Sequence, residues 1–153
     1  MSALISIPPD SDYRKHLRSV LLFILAHITG EPNGVKSPVD FQGIVEMDSV
    51  YKLSMKLKTA NRDKDFRISV NEGLLFYACF VLMNKVLVSK HDETLTSVLL
   101  KMMPEGNSFK DFKVFRDDMI YINTHLIEDS EKKFKSHKEL AVLKERLAEI
   151  DLD

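Results

Sequence analysis

Between positions 69 and 89 the chain reads SVNEGLLFYACFVLMNKVLVS, and its apolar residues recur on nearly every side of a helix drawn at about 100° per residue. A helix without a polar face belongs at the centre of a fold, with the other elements packed around it. Ser69 and Glu72 stand at capping-box spacing, where hydroxyl and carboxylate each satisfy an otherwise orphaned backbone N–H. The central helix is therefore predicted at about 70–88, beginning near Val70. Asn84 and Lys85 interrupt its apolar run, whereas a bilayer span needs roughly 18 or more nearly uninterrupted apolar residues, so no membrane partner is expected.

The flanking segments supply neighbours. Tyr13, Leu17, Val20, Leu21, Ile24 and Ile28 recur at steps of three and four, which predicts an amphipathic helix over 12–29 that Asp10 or Ser11 can cap and Gly30 can end. The run GEPNGVKSPVDFQG, 30–43, carries no sustained period and reads as a long connection. A shorter helix is expected over 94–103. Phe109, Phe112, Phe115, Met119, Ile122 and Leu126 form another stripe after the breaker PEGNS, and Leu140, Leu143, Leu147 and Ile150 form a third in a charged C-terminal helix.

Residues 51–58, YKLSMKLK, alternate apolar and polar strictly, and Phe66, Ile68 and Val70 alternate again after ANRDKD. That pattern allows a β-hairpin. At the helical angle, however, Asp48, Ser49, Lys52, Lys56 and Thr59 share one polar arc, with Val50, Leu53, Leu57 and Ala60 opposite, and Asn61 can close the helix. Helix is favoured. The expected fold is all-α, an irregular bundle of five or six helices around a buried helix at about 70–88, in one domain over 1–153. The alternative is an α+β fold with a hairpin at about 50–59 and 65–70.

Composition narrows the setting. A chain of 153 residues, 44% hydrophobic and 29% charged, is long enough to bury a core without disulfides or metal. Its lone cysteine, Cys79, and the lack of an Asn-x-Ser/Thr site favour a reducing, cytoplasmic location. The start, MSALISIPPD, has neither a basic n-region nor an apolar run of signal-peptide length. Twenty-two basic and twenty-three acidic residues leave a formal charge of -1, so any electrostatic function must be local.

Candidate chemistry is sparse. Asp117, Asp118, His125, Glu128 and Asp129 could be drawn into a metal or acid-base site, but the chain has no Glu-x-x-His element, and a solvated face explains the same residues. Cys79 sits in the most apolar segment, where a thiol is a poor nucleophile. His91, Asp92 and Glu93 suit a helix start, while His16, His27 and His137 have no partners at ligand spacing. The common glycine-rich nucleotide loops and the hydrolase elbow are absent. No catalytic residue, metal or cofactor is assigned.

Two surfaces remain. Lys52, Lys56, Lys58, Arg62, Lys64 and Arg67 stand against Asp63 and Asp65, a local balance of +4 that could hold phosphates, though without interleaved aromatics for base stacking. The stripe Leu140, Leu143, Leu147 and Ile150 fits either docking on the chain's own core or pairing with another chain. The expectation is an adaptor or accessory module acting through another protein or a second copy of itself. The alternative is a nucleic-acid-associated accessory protein using 52–67.

Overall fold

The computed structural model describes residues 4–7, 11–29, 45–60, 64–88 and 112–150. Five helices account for most of them: α1 Ser11–Thr29, α2 Met47–Thr59, α3 Val70–Val88, α4 Phe112–Lys133 and α5 Lys138–Ala148. Two short strands, β1 Leu4–Ile7 and β2 Phe66–Ser69, form an antiparallel pair in which Leu4 faces Ser69 and Ile7 faces Phe66. The fold is an all-α bundle. The connection expected at 30–43 and the helix expected at 94–103 lie outside the described residues.

α3 is the hub, with residues buried around its whole circumference from Val70 to Leu87. Its start is the capping box: Ser69 N donates to Glu72 Oε1 at 2.9 Å, and Glu72 N donates to Ser69 Oγ at 3.2 Å. By length and composition α3 is apolar enough to cross a bilayer, so Asn84 and Lys85 do not by themselves exclude that. Within the fold, 67% of its most apolar window is buried by the chain's other elements. Leu17, Val20, Leu21, Phe23 and Ile24 of α1 join it in one core.

Residues 47–59 are helical, and burial explains why the alternating pattern did not make a strand. Val50, Leu53 and Leu57 enter the core, while Tyr51 and Met55, which a strand would place on the same face as Leu53 and Leu57, are exposed. The hairpin alternative is thus overturned for 50–59. Its second half was a true strand signal: Phe66 and Ile68 are buried and Arg67 is exposed, but the pairing strand is Leu4–Ile7 rather than the segment next to it.

α4 runs antiparallel to α3, because Gly73, Tyr77 and Asn84 meet Phe134, Glu131 and Asn123 in reversed order. Its inward face departs from the expected stripe. Ile122 is exposed, and Asn123 takes the fully buried place beside it. At the end of α4 the chain turns through Phe134 and His137, with Phe134 N donating to Ser130 O and His137 N to Phe134 O, both at 2.9 Å.

Phe134 explains the placement of α5. Its ring lies so close on Gly73 that a Cβ there would fall 3.2 and 3.3 Å from two ring carbons and closer still to Cζ. Only the hydrogen of glycine permits this approach. The far end of α5 is held by Lys85 Nζ, which donates to Ile150 O at 3.1 Å. α5 therefore runs alongside α3 in the same direction, fastened near both ends.

Candidate functional site

α2 leans on α1, and α5 is held against α3 by Gly73–Phe134 and Lys85–Ile150. Between α2 and α5 lies an open groove of about 920 Å³ with α3 at its floor. Leu74, Leu75 and Ala78 of α3 provide the floor, Leu53 of α2 one wall, and Val142 and Leu143 of α5 the other. Leu53 and Leu74 are buried, Leu75 and Leu143 half-buried, and Val142 is 57% exposed. The apolar surface thus rises from the core to the lip of the groove.

Charged groups edge it. Lys56 Nζ bridges α2 to α3 by reaching both carboxylate oxygens of Glu72, at 2.8 and 3.1 Å. Burial alone pushes the Glu72 carboxyl up, but the hydrogen bonds from Lys56 and from Ser69, with the Lys56 charge, outweigh it and hold the group below its ordinary range. Lys52, Lys138 and Arg146 stand on the remaining rim with Glu46 and Glu139. The rim is mixed in sign.

The basic segment does not form one patch. Lys52 and Lys56 face the groove, and Lys58 lies about 200° round the helix from Lys56. Lys56 is already shared between Glu72 and the face of Phe66, 5.6 Å from the ring centroid. Lys64 is exposed and its carbonyl accepts from Arg14, Arg67 is exposed on β2, and Arg62 lies outside the described residues.

The C-terminal stripe divides. Leu140 and Leu147 are buried in the chain's own core, and Leu143 and Ile150 pack against its edge. Beside that stripe, Val142 forms part of the groove, a residue the three-and-four spacing of the leucines passed over. Its signal was its own position, since Val142 sits with Glu139, Leu143 and Arg146 on the neighbouring face of the helix.

The acidic face of α4 carries Asp117, Asp118, His125, Glu128 and Asp129, with Tyr121 edge-on to the His125 ring at 4.6 Å. Among the described residues no three His, Cys, Asp or Glu side chains come together as a metal site would require. Cys79 is fully buried, and burial pushes its thiol up to about 12, which leaves negligible thiolate at neutral pH. Tyr77 donates to Glu131 Oε1 at 2.9 Å, and burial followed by that carboxylate raises the phenol well above its ordinary value.

One polar chain, running from the buried His16 and Asn123 out to the exposed Thr124, was not legible from spacing. His16 Nε2 meets Asn123 Oδ1 at 2.8 Å, Asn123 Nδ2 donates to Asn84 Oδ1 at 3.1 Å, Asn84 Nδ2 to Thr124 Oγ1 at 3.4 Å, and Thr124 Oγ1 to Ile120 O at 2.7 Å. The donors all run one way, so His16 carries its proton on Nε2. Nδ1 is buried with no hydrogen-bond partner among the described residues. Burial lowers the His16 pKa, and the hydrogen bond to Asn123 offsets this only in part. The imidazole is a neutral clamp joining α1, α3 and α4, stacked 6.3 Å from the Phe80 ring.

Among the described residues, the groove on α3 is a surface whose shape and chemistry suit a ligand. No protein family, curated protein or solved structure matches the chain.

Proposed function

We propose that this chain is a helical adaptor or accessory module that acts by association, receiving an α-helix in the groove between α2, α3 and α5. The supporting observation is the groove itself, which is floored by apolar residues and open to solvent. Leu74, Leu75 and Ala78 lie at steps of one, three and four, the spacing that a partner helix presents in return. The mixed rim suits a peptide flanked by both charge signs. A reducing intracellular setting suits the single buried cysteine.

Association with nucleic acid through 52–67 draws weaker support, since Lys56 is held by Glu72 and Lys58 points off to another side. Amide shifts in a nitrogen-15 NMR titration test the groove. A synthetic amphipathic peptide with Leu at i, i+3, i+4 and i+7 should shift Leu53, Leu75, Ala78 and Val142 saturably, and the same peptide with Ser for Leu should not. If those four amides stay in place with both peptides, the groove is not a helix-binding site.

A further inference from the structure

We infer that the helix received by the groove belongs to another protein and lies antiparallel to α3, with acidic residues flanking the apolar stripe in its last turn at the Glu72 end. This rests on the groove being a helix-binding site and adds the charge and direction of its occupant. The α2 wall lines the groove from Val45 to Lys56, the α3 floor from Asn71 to Ala78 and the α5 wall from Lys138 to Arg146, so all three helices run along it. Lys56 meets Glu72 near the start of α3, and α5 starts at the same end, about one turn after Phe134 has reached Gly73. There α2 ends while α3 and α5 begin. The walls are about 12 to 16 Å long, room for two to three turns of a helix laid on Leu74, Leu75 and Ala78 between Leu53 and Leu143.

The charges at the two ends do not balance alike. At the Glu72 end, Lys56 and Glu72 neutralise each other. Glu139 lies in the first turn of α5, whose N-terminus has no side-chain cap, so that carboxylate and the positive helix end offset each other. Lys52, one turn before Lys56, and Lys138 remain, one on each wall, exposed and in no ion pair among the described residues. At the other end Glu46 stands at the uncapped N-terminus of α2, where the same offset holds, and Arg146 is already engaged. The groove thus presents two ammonium groups at one end and no surplus at the other.

A helix whose C-terminus points to the Glu72 end meets these groups with the carbonyls its last turn leaves free and with the negative end of its dipole. Acidic residues on either side of its stripe complete the match, one toward Lys52 and one toward Lys138. The reverse direction would turn free N–H groups toward the ammoniums. No described helix of this chain has such an end: the last turns of α2, α3, α4 and α5 carry Lys or Arg, and that of α1 carries no acid. The occupant therefore comes from another protein.

Nitrogen-15 NMR titration of the full chain tests this with three peptides that share Leu at i, i+3, i+4 and i+7. They carry Glu, Gln or Lys at i+8 and i+10, which fall on either side of the stripe. The Glu peptide should bind about tenfold tighter than the Gln peptide, as two exposed ion pairs allow, and the Lys peptide more weakly than both. Rising salt should close the gap. Lys52→Gln and Lys138→Gln should each cut the Glu advantage about threefold. A nitroxide at the C-terminus of the Glu peptide should broaden the amides of Asn71 and Lys138 more than that of Val45.

Equal affinity for the Glu and Gln peptides, or tighter binding of the Lys peptide, overturns the acidic partner and leaves the groove as a helix site. Stronger broadening at Val45 overturns the direction, and the inference with it. If none of the peptides shifts the groove amides, the groove itself falls as a helix site and takes the inference with it.

Discussion

α3 and α5 lie side by side and are both built on apolar residues, yet they are buried in opposite ways. α3 loses its side chains to the core on all sides, with Leu82 and Met83 wholly buried, whereas α5 inserts Leu140 and Leu147 along one line and leaves most of the rest to solvent. A helix buried all round holds the fold together and has no face left over except where its neighbours stand apart. A helix buried along one line has a second face beside the first. The groove arises where these two conditions meet, between α2 and α5 with α3 at its floor.

The largest expected effect tests the α3 side of this contrast. Leu82→Asp buries an unpaired charge at a fully buried position and should cost more than about 4 kcal/mol, enough to abolish cooperative unfolding of a marginally stable domain. A cooperative melt near the parent temperature would show that α3 is not the hub.

The α5 side predicts a split between adjacent faces. Leu147→Ala should lower stability by about 2–5 kcal/mol, as large-to-small core changes do, read as a lower urea midpoint at unchanged slope. Val142→Ala should change stability by less than about 0.5 kcal/mol, while weakening association through the groove. Equal losses of stability at both positions would erase the distinction between the two faces.

A smaller effect concerns the polar seam on the other flank of α3. His16 is neutral in the fold, and its pKa lies below the 6.5 of the free imidazole. Below that pH the unfolded chain binds a proton that the folded chain does not, so stability falls as pH drops from 6.5 toward the folded pKa, by at most about 1.4 kcal/mol per unit. Denaturant melts between neutral and mildly acidic pH should show this slope for the parent and a flatter one for His16→Gln. Equal slopes would mean that His16 is not held neutral by its surroundings.

The smallest is Gly73→Ala, in which two effects oppose. Alanine favours a helix over glycine by about 1 kcal/mol, while overpacking against Phe134 costs about 1–3 kcal/mol. A net loss of about 1 kcal/mol is expected in a thermal melt, the difference between those two effects, and it should be removed when Phe134→Leu is combined with it. A net gain would show that the ring gives way freely and does not set the position of α5.

Much of this architecture was legible because its causes are local. The Ser69 and Glu72 cap lies within a single turn, and the helical arc Val50, Leu53 and Leu57 against exposed Tyr51 and Met55 follows from one rotation angle. Phe66 and Ile68 signalled a strand for the same reason. Its partner could not be read, since Leu4–Ile7 lies far earlier in the chain and nothing in either segment names the other. Ile122 and Asn123 show the converse limit: hydrophobic spacing put the isoleucine inside, and the hydrogen bonds waiting at His16 and Asn84 brought in the asparagine instead.

The groove belongs mostly to this second kind of information, although Lys52, Lys56 and Leu143 were already singled out in the sequence. Its residues come from 45 to 56, 71 to 78 and 138 to 146, and of the C-terminal stripe Leu140, Leu143, Leu147 and Ile150 only Leu143 lines it, Leu140 and Leu147 being taken by the core, while Val142 and the charges flanking it were passed over. By itself the sequence determined that α1, α3, α4 and α5 are helices, that 70–88 lies at the centre, and where α3 begins, because propensity, periodicity and capping act within a few residues; for 47–59 it favoured helix and left a hairpin open. Which helices stand apart was decided only by tertiary contacts between distant positions, Phe134 on Gly73 and Lys85 on Ile150 among them, since a packing distance depends on side chains that meet from opposite ends of the chain.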